Sequence, residues 1–148
     1  MRRPAAALAV AALIACAAAG PPVAQEPRPE PGVACDARLA EQFPDVTRRL
    51  AWRGDPPAPQ QLADADIPTE AQAQDLRRLH PLANQCMAML GPLFAGDPRA
   101  TAALDRARRS RDQVFRLLIW RNGSWGEAND RLRVAGQQFR RDLQAAGH

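Results

Sequence analysis

Cysteine and histidine are the residue types in this chain that could support covalent or metal chemistry, and it contains three of the first and two of the second. No Cys-x-x-Cys pair occurs, and no histidine pair lies near Cys35 or Cys86, so the spacing predicts no metal site. His80 precedes Pro81 and the other histidine is His148, which favours structural or surface roles. No serine stands at a recognisable spacing from a histidine and an acid. The sequence therefore predicts a protein that is not an enzyme and needs no cofactor.

The first residues have the pattern of an export signal. Arg2 and Arg3 form a short positive region, and residues 5–15 form an apolar stretch that is too short to span a bilayer. We therefore predict that residues 1–15 are a signal peptide and that the chain after them is exported.

Residues 13–16 read Leu-Ile-Ala-Cys, which resembles the lipobox of bacterial lipoproteins. The resemblance implies that Cys16 is acylated and becomes the first residue, and that the protein is a periplasmic lipoprotein anchored at the outer membrane. The alternative is an ordinary signal peptide cleaved after Ala19, because Ala17 and Ala19 provide the small residues that such cleavage requires. That alternative predicts a soluble periplasmic or secreted protein.

The next segment is rich in proline. Residues 17–34 contain five prolines and few side chains that could pack in a core. This composition predicts an extended, disordered tether over residues 16–34. The tether would hold a folded domain, residues 35–148, away from the membrane.

Two cysteines remain once Cys16 is acylated or removed with the signal. An exported chain meets an oxidising compartment, so Cys35 and Cys86 are predicted to form a disulfide. Closing a loop of roughly 50 residues stabilises a domain by about 3–4 kcal/mol in the chain-entropy account.

Apolar residues recur at helical spacing in four stretches, which predict helices over about 36–52, 69–90, 97–121 and 124–143. Pro44 is expected to kink or split the first helix, and Pro81 to interrupt the second. Four amphipathic helices with mostly short links predict an all-α fold, an antiparallel four-helix bundle with up-down-up-down topology. In such a bundle the start of the first helix lies beside the end of the second, as the predicted disulfide requires.

The same topology would gather three tryptophans at the end of the bundle opposite the disulfide. The third helix is apolar on nearly every side there, and such a helix must be covered. Either the neighbouring helices and the connection over 54–69 cover it, or it forms a surface for a partner, since tryptophan is enriched in interface hot spots. The residues of this candidate partner surface are Trp52, Phe115, Ile119, Trp120 and Trp125.

Arginine supplies all the positive charge, with 20 arginines, no lysine and a formal net charge of +4. The excess lies in the last third of the chain, where a solvated helix face is the simplest interpretation and attraction to an anionic membrane or partner is the alternative. Asp105 and Asp112 alternate with the arginines of the third helix and reduce its positive charge. An exported protein would also be separated from the nucleic acids of the cell. We therefore predict no nucleic-acid binding.

Taken together, these features favour a small lipid-anchored helical protein that acts by protein–protein contact in the bacterial cell envelope. It would be an accessory, inhibitor or chaperone-like module whose partner is an envelope protein that the sequence does not identify. The alternative is a carrier of a small apolar ligand, held in space near the two helix prolines, and an enzyme ranks third.

Overall fold

The computed structural model describes residues 31–148, so the predicted signal peptide, Cys16 and most of the tether lie outside the described residues. The described part is all-α and contains no strand, as predicted. Its elements in chain order are α1 (Pro31–Gln42), α2 (Pro44–Arg49), α3 (Pro59–Leu62), α4 (Glu70–Ala88), a 3-10 turn (Gly91–Phe94), α5 (Pro98–Ile119) and α6 (Trp125–Ala146).

The first predicted helix starts earlier than expected and is split. It begins at Pro31 rather than Asp36, so the last residues of the predicted tether are helical. Phe43 leaves the helical conformation, with φ −130° and ψ 57°, and Pro44 starts α2 at a position where its missing N–H is not needed. The split at Pro44 was one of the two outcomes predicted for this proline.

The chain reverses after α2. Leu50 is extended, with φ −114° and ψ 122°, and the following residues return toward the start of α1, where Arg53 Nη2 donates to the carbonyl oxygen of Asp36 at 3.0 Å. As a consequence, Trp52 and Cys86 both lie in the wall of a cavity between the helices. The prediction that Trp52 lies opposite the disulfide is wrong, because the helix ends at Arg49 and does not carry Trp52 to the far end.

α4 begins with a capping box. The hydroxyl of Thr69 accepts from the backbone N–H of Gln72 at 3.2 Å, and Oε1 of Gln72 accepts from the N–H of Thr69 at 2.9 Å. The predicted interruption at Pro81 is not seen, since α4 continues through it. Pro81 is exposed, while Leu79 and Ala83 beside it are fully buried. Packing of the inner face therefore holds the helix together despite the missing donor.

α5 and α6 form a hairpin with well-defined ends. Asp97 caps α5 by accepting from the N–H groups of Arg99 and Ala100, and Ser124 caps α6 by accepting from Glu127. The left-handed residue between them is Arg121, with φ 56°, although glycine is the residue type that takes this conformation most readily. Gly123 serves close packing instead, because a Cβ there would lie 2.7 Å from the side chain of Leu117.

The helices pack in a defined order: α5 lies along α6, α4 packs on α5, and α1 packs on α4. The disulfide between Cys35 and Cys86 joins α1 to the end of α4, with a Cα–Cα distance of 5.7 Å. This confirms the predicted pairing. None of the helices over residues 31–148 combines the length and the hydropathy needed to cross a bilayer.

Candidate functional site

A cavity of about 280 Å³ lies where α1, the reversal after α2, the end of α4, α5 and α6 meet. It exists because small residues face it: Ala107 on α5 and Ala135 and Gly136 on α6 leave space between the helices. Larger apolar side chains complete the wall, and they are Trp52, Met87, Leu90, Leu132 and Phe139. The cavity is therefore apolar over most of its surface, as small-ligand sites commonly are.

Three charged residues also line this cavity: Asp36, Arg53 and Arg111. Arg111 is 6% exposed. Its Nη2 donates to the carbonyl oxygen of Ala83 at 2.5 Å and to Oδ1 of Asn84 at 3.1 Å. Its Nε is buried and has no acceptor among the described residues. The cavity thus contains a cation whose hydrogen bonding is incomplete within residues 31–148.

The charge state of Arg111 follows from its surroundings. Burial lowers the pKa of Arg111 to about 10, while the charges of Asp36 and Asp112 act in the opposite direction. The guanidinium is still protonated at neutral pH. Burial likewise raises the pKa of Asp36, against the effect of Arg111 and Arg53. The cavity therefore brings together two arginine charges and one carboxylate.

A second polar cluster surrounds His80. Its Nε2 lies 2.6 Å from Oδ1 of Asp112, which also accepts from Nδ2 of Asn84 at 3.0 Å. The imidazole ring stacks on Phe115, with 4.8 Å between ring centroids. Through Asn84 the cluster is continuous with Arg111. A carboxylate that orients a histidine occurs in hydrolytic sites, but no hydroxyl or thiol group of residues 31–148 hydrogen-bonds to this ring. Within the described residues, the cluster consists of His80, Asp112 and Asn84.

The Asp112 carboxylate makes a testable contribution to stability. Burial alone would raise the pKa of Asp112, but the hydrogen bonds from His80 and Asn84 together with nearby positive charge lower it below 3.8. A carboxylate with a lowered folded pKa stabilises the protein above its unfolded pKa, and this contribution is lost as the pH falls through the folded value. We expect Asp112→Asn to be less stable than wild type by about 1 kcal/mol at neutral pH, with the gap closing below pH 3.8.

Urea unfolding of both proteins from pH 7 to pH 2.5 measures this gap, and Asp105→Asn, on the exposed face of α5, is the matched control. A gap that stays constant over the whole range would show that the Asp112 charge does not stabilise the fold.

The five residues of the candidate partner surface do not form one exposed surface. Trp52 is 4% exposed, and Phe115 and Trp125 are fully buried. Ile119 is partly buried against the core, and only Trp120, at 69%, is largely exposed. The candidate surface is therefore wrong for the three buried residues, because their rings fill the core of the domain.

Two buried polar residues are not identified by the sequence patterns. Arg111 is a charged residue of the third helix, yet it is among the most buried charged side chains described. Asn129 was not singled out, although it is fully buried. The helical spacing could have indicated its burial. Asn129 lies three or four residues from Trp125 and Leu132, and so it shares their apolar face of the helix.

Within residues 31–148, no three His, Cys, Asp or Glu side chains are grouped so that they could hold a metal ion. Comparison of the chain with protein-family models, with curated proteins and with solved structures finds no match.

Proposed function

We propose that the domain binds a small, mostly apolar molecule in the cavity between α1 and α6, and that it acts by binding rather than by catalysis. The observation that carries this proposal is the cavity itself, about 280 Å³ and lined mainly by apolar side chains. Its volume is close to the lower limit of roughly 300 Å³ for ligand sites. The ligand is therefore small, and the site lies away from the two helix prolines, where the sequence suggested it.

The proposal includes the up-down arrangement of a four-helix bundle, with α1–α2, α4, α5 and α6 as its members. Three contacts between helices support antiparallel neighbours: the disulfide between Cys35 and Cys86, the hydrogen bond from Arg77 to the Ile119 carbonyl at 3.5 Å, and the ion pair of Arg106 with Asp142 at 2.9 Å. Ligand sites in such bundles lie between facing helices.

We further propose that the protein is exported and held at the outer membrane by acylated Cys16, facing the periplasm. The disulfide supports export, because such bonds persist in oxidising compartments. The mass of the intact native protein tests this proposal. A mass increase equal to the acyl groups, on a chain that begins at Cys16, is expected, and a chain that begins after Ala19 would contradict it.

Contact with an envelope protein is the second candidate function. It is favoured by Trp120, which is 69% exposed at the end of α5, and by Ile67, which is 52% exposed. Arg121 Nε donates to the carbonyl oxygen of Pro68 at 2.8 Å, so the two exposed apolar residues belong to adjoining segments. Two such side chains are a small surface, and we therefore rank this function below ligand binding.

Filling the cavity tests the proposed function. Gly136 lies inside α6, and a Cβ there has only the Arg140 side chain within 4 Å, at 3.8 Å. Gly136→Leu should therefore fold, with a gain in helix propensity of about 1 kcal/mol, while its side chain occupies the cavity. We expect it to weaken binding of octan-1-ol by about tenfold or more, since the apolar contacts are lost.

Chemical-shift titration of the mature protein with octan-1-ol measures this effect, with the largest shifts expected at Trp52 and Leu132. Ala145→Leu, on an exposed position of the same helix, is the matched control and should bind as wild type does. Equal affinity of wild type and Gly136→Leu would contradict binding in this cavity.

A further inference from the structure

We infer that the ligand is a small amphipathic carboxylate, whose head group pairs with Arg111 while its apolar chain lies against Trp52, Leu132 and Phe139. This inference rests on the proposed function, because it assigns a chemical class to the ligand of the same cavity.

The first step is the cost of burying Arg111. A buried charge is expensive unless it is paired and fully hydrogen-bonded. A guanidinium has five N–H groups, and in the described part of the chain only Nη2 donates, to Ala83 and Asn84. Nε is buried without an acceptor. The hydrogen bonding of the guanidinium is therefore incomplete within the described residues, and an acceptor in the cavity that Arg111 lines would add to it.

Arg49 is another partly buried arginine, and its side chain has a full set of acidic partners. Nε and Nη2 of Arg49 donate to the two carboxylate oxygens of Asp64 at 2.8 Å and 2.6 Å, and Nη2 also contacts Asp66 at 2.7 Å. The guanidinium is thus held by a bidentate carboxylate, the geometry that suits it best. Arg111 is more deeply buried than Arg49 and forms no such ion pair within residues 31–148.

The surroundings of Arg111 favour an anion. Arg53 and Arg111 line the cavity together with the carboxylate of Asp36, so the charge contributed by the described residues is positive by one unit. Apolar side chains form the remainder of the wall. A carboxylate on a short apolar chain matches both features, whereas a volume of about 280 Å³ is too small for a whole phospholipid.

Arg111 also ties α5 to α4 through the Ala83 carbonyl oxygen. If that were its only role, the cavity would bind an acid and the corresponding alcohol equally well. Comparing the two ligands therefore separates recognition of a head group from a purely structural contact.

The test measures binding of octanoate and octan-1-ol to the mature protein at neutral pH by isothermal titration calorimetry. We expect octanoate to bind wild type about tenfold or more tightly than octan-1-ol, the effect of one charge-assisted pair. Arg111→Met should remove this preference, while Arg116→Met, on the exposed face of α5, should keep it.

A second variant covers the case in which Arg111→Met does not fold. Asp36→Asn removes the only carboxylate among the described residues that line the cavity, and it should raise the preference for octanoate over octan-1-ol by about threefold. Equal binding of acid and alcohol to wild type, or an unchanged preference in Asp36→Asn, would overturn the inference and leave the proposed function standing. Failure of both ligands to bind would overturn the proposed function as well.

Discussion

Replacing Asn129 by leucine is expected to lower the free energy of unfolding by about 4 kcal/mol, because three backbone groups would lose their hydrogen-bond partner in the core at once. Oδ1 of Asn129 accepts from the N–H of Ala51 at 2.8 Å. Its Nδ2 donates to the carbonyl oxygens of Arg49 and Gln61, at 2.8 Å and 3.0 Å. The side chain is fully buried, so water cannot replace these bonds without opening the core.

The effect extends beyond α6, because Asn129 connects three separate parts of the chain. Arg49 ends α2, Ala51 belongs to the reversal that places Trp52 in the cavity wall, and Gln61 lies in α3. Leucine has a similar size but can neither donate nor accept. We therefore expect the variant to lose order around residues 49–61 before the rest of the domain unfolds.

Urea unfolding followed by circular dichroism measures the loss, and amide hydrogen exchange locates it. Asn129→Asp is a useful second variant, since it keeps the acceptor but removes both donors and buries a charge, so it should be at least as unstable as the leucine variant. Asn122→Leu, at an exposed position, is the control and should change stability by less than about 0.5 kcal/mol. A loss below 1 kcal/mol in Asn129→Leu would show that these bonds do not hold the reversal in place.

The helix caps could be predicted because they depend on a few neighbouring residues. The disulfide could be predicted because the chain offers few cysteines that could pair. Thr69, Asp97 and Ser124 each have the side-chain oxygen that a first helical turn requires. With Cys16 either acylated or removed with the signal peptide, Cys86 is the one remaining partner for Cys35. These features can be read without knowing which helices touch.

The proline outcomes depended on tertiary packing. Pro44 coincides with a break in the chain path, where Phe43 turns inward and is 5% exposed. Pro81 lies on the outer face of a helix whose inner face is fully buried, and the helix continues. Both prolines lack a backbone donor and should disrupt a helix. Whether the helix continues depends on the apolar residues that its inner face buries.

The candidate site could not be predicted for a related reason. Trp52 reaches the cavity only because the chain reverses at Leu50, and that reversal is held by Asn129, far away in sequence. Gly126 gives a second example: a Cβ there would lie 2.5 Å from the Leu62 carbonyl oxygen, a close approach that no local pattern reveals. Long-range contacts of this kind decide where the cavity forms.

Removing the disulfide is the second change with a large expected effect. The double variant Cys35→Ala/Cys86→Ala should unfold with a free energy lower by about 3–4 kcal/mol, because the bond closes a loop across a sequence separation of 51 residues and restricts the unfolded chain. Alanine avoids leaving a reactive thiol in the core. Both cysteines are buried, so part of the loss also comes from the packing of sulfur.

The loss should be concentrated in α1, because α1 packs mainly on α4 and the disulfide is its covalent link to that helix. We expect amides of α1 to exchange faster in the variant, while those of the α5–α6 hairpin keep most of their protection. Wild type treated with reductant should behave as the variant does, and the variant itself should not respond to reductant. If α1 keeps its protection after reduction, its packing on α4 suffices without the bond.

The disulfide also bears on ligand binding. Asp36 belongs to α1 and lines the cavity, so loss of order in α1 should weaken ligand binding. The redox state of Cys35 and Cys86 is thereby connected to the proposed function.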